Sequence, residues 1–162
     1  MLVDINVEST PNSISIDICK ESDWRKLHDL VEQQGKFDYC ICTHTLEDIY
    51  NPIVALDNMP KIAKSGIITM PCARTELSHI ESSSWLGFIH HRWIYDNDGD
   101  AMLVIPKLNF LDSIVTSPFE PNSSEIRYEW SETIPYKIFM NNYLGPNVNT
   151  VVSKYQELIK NL

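Results

Sequence analysis

The residues with most chemical potential in this chain are its histidines and their neighbours. The run Trp85–Tyr95 (WLGFIHHRWIY) sets His90, His91 and Arg92 in a row between two tryptophans. Read as a strand, it puts His90 and Arg92 on one face and His91 and Trp93 on the other. A His–Arg face can bind an anionic substrate, or supply a general base, because imidazole titrates near neutrality. The competing reading is a hairpin strand that packs Trp85 and Trp93 while its histidines hydrogen-bond locally. His44, flanked by Thr43 and Thr45, follows the apolar run Phe37–Cys42. If that run is a buried strand of a parallel sheet, His44 stands beyond its carboxyl end, where such sheets bind ligands. His44 is therefore the best single candidate, against the alternative of a surface turn.

Metal chemistry is not expected from the spacing. His44, His79, His90 and His91 could converge with Glu47 or Glu76, but the chain has no HxH or HExxH pattern. The DNDGDA segment at 96–101 resembles the start of a calcium loop. Its sixth position is Ala101 instead of glycine and its twelfth is Lys107 instead of a bidentate Glu, so it reads as a hairpin turn. Cys72 follows an apolar strand-like run at the same edge as His44. A nucleophilic thiolate needs a base and a lowered pKa, which position alone does not supply. Cys19, Cys40 and Cys42 are likewise expected to be free thiols, the last two on one strand face.

The elements that must position these residues read as follows. Leu2–Val7 is a strand, and Ile14, Ile16 and Ile18 alternate with polar residues as a second. Asp23 caps a helix carrying Trp24, Leu27, His28 and Val31, and Gly35 ends it. Asn51-Pro52 opens another helix, which Pro60 should kink or end near Met59. Gly66–Met70 is the next strand. Residues 1–71 thus read strand, strand, helix, strand, helix, strand, and the latter part alternates, which favours a parallel sheet with helical crossovers. Beyond that, Phe88–Tyr95 and Ala101–Ile105 form a hairpin, and Asn109–Val115 a short helix. Ile126–Trp130 and Ile134–Met140 form a further strand pair. Asn149 caps a last helix with Val151, Val152, Tyr155, Leu158, Ile159 and Leu162 on one face. The second half therefore looks antiparallel.

The length of 162 residues, with 43% apolar and 22% charged residues, fits one soluble α/β domain, 1–162, with a parallel part at 1–71 and hairpins plus a helix at 72–162. A net charge of −9 disfavours a nucleic-acid partner. No signal peptide or membrane span is legible, and a cytoplasmic location follows by default.

The stretch FDYCICTHTLEDIYNPIVALDNMPKIAKSGIITMP, residues 37–71, resembles the middle of a class I S-adenosylmethionine-dependent methyltransferase. The matching pieces are Phe37-Asp38, Leu46-Glu47, Asn51-Pro52 and Lys64-Ser65-Gly66. The Trp…Gly…His-His-Arg-Trp run is similar to one found in some methyltransferase-like proteins. The resemblance implies a partial Rossmann-like sheet and a methyl transfer from S-adenosylmethionine to a small-molecule acceptor. It also implies that Asp4 accepts the ribose hydroxyls and Asp17 the adenine amino group, with His44 on the cofactor side and His90 and Arg92 on the acceptor side. Two departures stand out: Asp48 replaces the family's usual His, and no glycine precedes Gly35. The loop whose backbone N–H groups would cradle the methionine end of the cofactor is therefore missing. A 5′-truncated gene or a natural deletion would account for that. The family's first strand is missing with it, so its neighbours are expected to pair directly or through a homodimer, unless MLVDIN takes the central place. The rival expectation is a non-catalytic binding or self-association module; a small metal hydrolase ranks third.

Overall fold

Short apolar runs interrupted by polar residues give short strands, and this chain is built from them. The computed structural model describes residues 1–4, 8–121, 124–139 and 148–161. In chain order the elements are β1 (Leu2–Asp4), β2 (Ser13–Ser15), α1 (Glu21–Gln34), β3 (Cys40–Thr43), α2 (Pro52–Ile62), β4 (Ser65–Pro71) and α3 (Ala73–Glu76). Then come β5 (Trp93–Asp98), β6 (Ala101–Pro106), α4 (Leu111–Ile114), β7 (Glu125–Ser131), β8 (Tyr136–Ile138) and α5 (Val148–Asn161). The result is a mixed α/β fold with three small sheets, ordered β1-β2, β3-β4-β7 and β5-β6-β8. By compactness the described chain divides into two units: 1–41, 49–67 and 129–134 form the first, and 42–48, 68–128 and 135–162 the second.

In the first unit β1 and β2 pair in parallel, with Asp4 opposite Ser15. Ile16 N–H then donates to the Asp4 carbonyl at 3.2 Å. Asp4 and Asp17 therefore follow each other at the carboxyl ends of adjacent parallel strands. The direct pairing expected between the strands at 2–7 and 37–42 is not seen, because among the described residues β1 and β3 belong to different sheets. Helix α1 starts two residues before Asp23. The Asp23 carboxylate is used instead to accept the Asp17 N–H at 3.0 Å. Gly35 ends α1 at φ 84°, a left-handed value that favours glycine. Helix α1 buries Trp24 and Leu27, and α2 buries Ala55, Leu56 and Met59. Asn58 links the two helices, donating to Glu21 Oε2 at 2.8 Å. Pro60 neither ends nor stops α2 at Met59. It lies in the last turn, where one missing N–H removes a single bond, and Ala63 N–H closes the helix on the Met59 carbonyl at 3.0 Å.

The second unit is organised by a hairpin. Strands β5 and β6 are antiparallel from Trp93↔Pro106 to Asp98↔Ala101, which leaves Gly99 and Asp100 as the two-residue turn read from the sequence. Gly99 adopts φ 61° there. β8 adds to β6 in parallel, with Met102 opposite Tyr136. The expected pairing of the strands at 126–130 and 134–140 does not occur, since β7 and β8 lie in different sheets. The second half is thus mixed, not purely antiparallel. One core joins Leu77, Leu86, Ile94, Leu103, Ile105 and Leu111 to Val151, Tyr155 and Leu158 of α5. The helical face read from the sequence is therefore the buried one. Asn149 lies inside α5, and Met140 and Leu162 fall outside the described residues. The strand expected at 88–95 begins only at Trp93. Gly87 turns the chain at φ 59°, and His91 N–H closes a turn on the Phe88 carbonyl at 3.1 Å.

Candidate functional site

That turn changes how the histidines are displayed. His90 and His91 do not alternate across a strand. Their Nε2 atoms both stand 3.6 Å from Asp48 Oδ1, and their rings meet edge to face at 4.5 Å.

Asp48 is brought there by the loop at 44–48, which three hydrogen bonds from the β5 end fix in place. Arg92 N–H donates to the Glu47 carbonyl at 2.6 Å, Arg92 Nε to the Asp48 carbonyl at 3.0 Å, and Tyr95 Oη to the Leu46 carbonyl at 3.0 Å. Arg92 is thus a clamp on the loop. Burial, with Glu47 adding to it, holds the Tyr95 phenol well above its ordinary pKa, so it remains a donor. His44 begins the loop at φ 45°, an uncommon conformation for a residue with a side chain. Its N–H donates to the Thr69 carbonyl at 2.9 Å. Its ring lies between two carboxylates: Nε2 is 3.1 Å from Glu125 Oε2, and Nδ1 is 3.4 Å from Glu47 Oε1.

Beneath these groups lies a buried ionic triad. Glu76, 1% exposed, takes His91 Nδ1 on Oε1 at 2.7 Å and Lys107 Nζ on Oε2 at 2.6 Å. Lys107 also donates to the Phe88 carbonyl at 2.8 Å. Two opposite charges in contact leave the pair neutral, and the carboxylate on Nδ1 orients the His91 ring so that Nε2 faces Asp48. Gly87 makes the approach feasible: a Cβ there would come within 2.3 Å of Glu76 Oε2.

These groups line an open cleft of about 370 Å³, walled by His44, Glu47, Asp48, His90, His91 and Glu125, with Phe88, Ile80 and Pro71 supplying apolar surface. Glu47 is its most unusual member. Its side chain is 2% exposed, and its Oε1 stands 3.4 Å from His44 Nδ1. Burial pushes its carboxyl above the ordinary value, opposed by its own backbone N–H and by His91.

His44, His90 and Arg92 thus come together in the second unit. Asp4 and Asp17 belong to the first. The Asp17 carboxylate accepts the Cys19 N–H at 3.0 Å and pairs with Lys20 Nζ at 3.1 Å. That use is local, although the ends of parallel strands are where the nucleoside of S-adenosylmethionine would be held. The methionine end of that cofactor is not fitted. Gly35 ends a helix and Gly66 packs on Trp130, so neither described glycine of this unit offers an amide cradle. Cys72 is close to Thr75 Oγ1, at 3.4 Å, and all four cysteines are free thiols.

Sequence reasoning named Glu76 as a residue that could converge with the histidines, but missed the roles of Asp48, Lys107 and Glu125. Their contacts span up to 81 positions, as from His44 to Glu125, and no local periodicity encodes them. The available signals were Gly87 beside the histidine pair, and an acid at position 48 where the resembled family carries His. Comparisons with family models, with curated proteins and with solved structures find no match for this chain. Among the described residues no helix is long and apolar enough to cross a membrane.

Proposed function

We propose that this is a methyltransferase-like protein whose working part is the cleft of the second unit, where a small acceptor binds and His44 takes its proton. The observation that carries the reading is the bracketing of His44 by Glu47 and Glu125 at 3.4 and 3.1 Å. Carboxylates on either side hold an imidazole in one orientation, as a positioned general base requires. The resemblance over residues 37–71 and the parallel register of β1 with β2 support the family part of the proposal. Glu47, Asp48 and Glu125 line the cleft, and among the described residues its lining includes no Lys or Arg. The acceptor is therefore a cation or hydrogen-bond donor, such as an amine or hydroxyl, in place of the anion that a His90–Arg92 face suggested. The resemblance implies S-adenosylmethionine as the methyl source, although the described glycines of the first unit supply no cradle for its methionine end.

Calorimetric titration with S-adenosylmethionine and its demethylated product tests this. Micromolar binding of one molecule per chain supports it, and His44→Ala then lowers methyl transfer to an amine or hydroxyl acceptor by about 10²–10⁴-fold. Absent or millimolar binding contradicts it and favours the second reading, a non-catalytic binding or self-association module. The specific observation behind that second reading is exposed apolar surface in the first unit: Ile41 is 70% exposed on β3, and Leu2 57% on β1.

A further inference from the structure

The cleft contains electron-pair donors with nothing to donate to. Asp48 Oδ1 is buried and accepts no hydrogen bond, yet it lies 3.6 Å from the Nε2 atoms of both His90 and His91. With Nδ1 of His91 engaged by Glu76, its Nε2 is the ring nitrogen turned to the Asp48 oxygen. All three ligand atoms fall within 4.8 Å of one another. A cation at the centre would satisfy them together. Two ligands bound to zinc at about 2.0–2.1 Å in a tetrahedral site lie roughly 3.3–3.4 Å apart, close to the 3.6 Å from Asp48 to each histidine, and the two histidine nitrogens lie within 4.8 Å of each other.

An independent observation points the same way. Glu47, one residue before Asp48 and lining the same cleft, is buried, and beyond His44 Nδ1 at 3.4 Å no side chain among the described residues bonds its oxygens. A buried carboxylate without a hydrogen-bond donor is costly unless a cation compensates it. The support behind His91 is also that of a metal ligand: a carboxylate holds its other ring N–H, fixes the tautomer and raises its basicity. Glu76 does this at 2.7 Å and is itself fixed by Lys107.

We infer that Asp48, His90 and His91 form a binding site for a divalent transition-metal ion of the zinc type, with Glu47 as the adjoining carboxylate and Glu76 as the positioning residue for His91. Two imidazoles and carboxylate oxygens suit zinc and its first-row neighbours, and a hard ion such as magnesium much less. The site is open to the cleft, leaving a coordination position for water or a ligand. It does not depend on the methyltransferase-like reading.

The test is titration of the chelator-stripped full chain with zinc by calorimetry, and with cobalt(II) by its visible ligand-field band. One ion per chain is expected. Asp48→Asn and His90→Ala alter side chains that are 42% and 57% exposed, so the fold should survive, as circular dichroism would verify. Each should weaken binding at least about tenfold. His79→Ala removes a histidine whose Nδ1 bonds the Trp85 carbonyl, and should leave affinity unchanged. Stoichiometry below a tenth of an ion per chain, or unchanged affinity in both ligand variants, would overturn the site. A failed S-adenosylmethionine titration with intact zinc binding sinks only the earlier reading, and the reverse result sinks only this one.

Discussion

Lys107 and Glu76 form the salt bridge on which the site is founded, and each residue exposes at most 10% of its side chain. Removing one charge of a buried pair leaves the other uncompensated. Lys107→Met should therefore cost about 3–5 kcal/mol of stability, read from urea unfolding at neutral pH. A loss below about 1 kcal/mol would show that Glu76 finds another partner or ordered water. Glu47 gives a second test at this scale. Its folded-state carboxyl is raised, chiefly by burial, above the ordinary value of 4.5. The folded chain thus holds that proton more tightly than the unfolded chain does. Its contribution is fully present below the unfolded value and is lost as pH rises through the higher folded value. In metal-free protein Glu47→Gln should be the more stable chain at pH 7, with its advantage shrinking as pH falls towards the ordinary carboxylate range. Urea midpoints of both chains across that interval check it. A constant difference would contradict the burial account.

At the scale of elements, the feature that turns the histidines into the cleft is Gly87. Its φ of 59° and the 2.8 Å from a would-be Cβ to Glu76 Cα leave no room for a side chain, and backbone does not move aside as a flexible side chain can. Gly87→Ala should cost about 1–3 kcal/mol and loosen the contact of His91 with Glu76. An urea midpoint equal to wild type would show the turn to be less constrained than its geometry. Elements governed by local rules were legible in the sequence. Asn51-Pro52 opens α2, Gly35 closes α1, and the Asn-Asp-Gly segment turns the β5–β6 hairpin with Gly99 at its left-handed position. Elements governed by distant partners were not. The run 88–95 has the apolar content of a strand, but the demand of Glu76 for His91 and Lys107 shortens it to β5. β7 and β8 look like a hairpin because they are adjacent in sequence, yet each pairs with a strand far from it in the chain.

For the molecule as a whole, charge is the property read most securely from composition. At −9, the chain repels polyanions and favours cationic ligands over phosphates. The cleft repeats that bias locally, with Glu47, Asp48 and Glu125 on its walls. The α/β class was also legible, because helix and strand patterns alternate from residue 14 to residue 71. Strand order was not, since it depends on contacts between segments remote in sequence. The same holds for the site: His44 and His90 were marked as candidates by residue type alone. The carboxylates that give them chemistry come from three separate stretches of chain, at 47–48, 76 and 125. The central claim is that the chemistry of this chain is concentrated in the cleft of the second unit, with His91 held by Glu76 and presenting Nε2. Long-range proton–nitrogen NMR of the histidine side chains tests that claim most directly. The Nδ1–H tautomer is predicted for His91, with zinc shifting the Nε2 resonances of His90 and His91 and leaving His28, in the first unit, unmoved. An Nε2–H tautomer at His91, or zinc shifts of equal size across all five histidines, would contradict it.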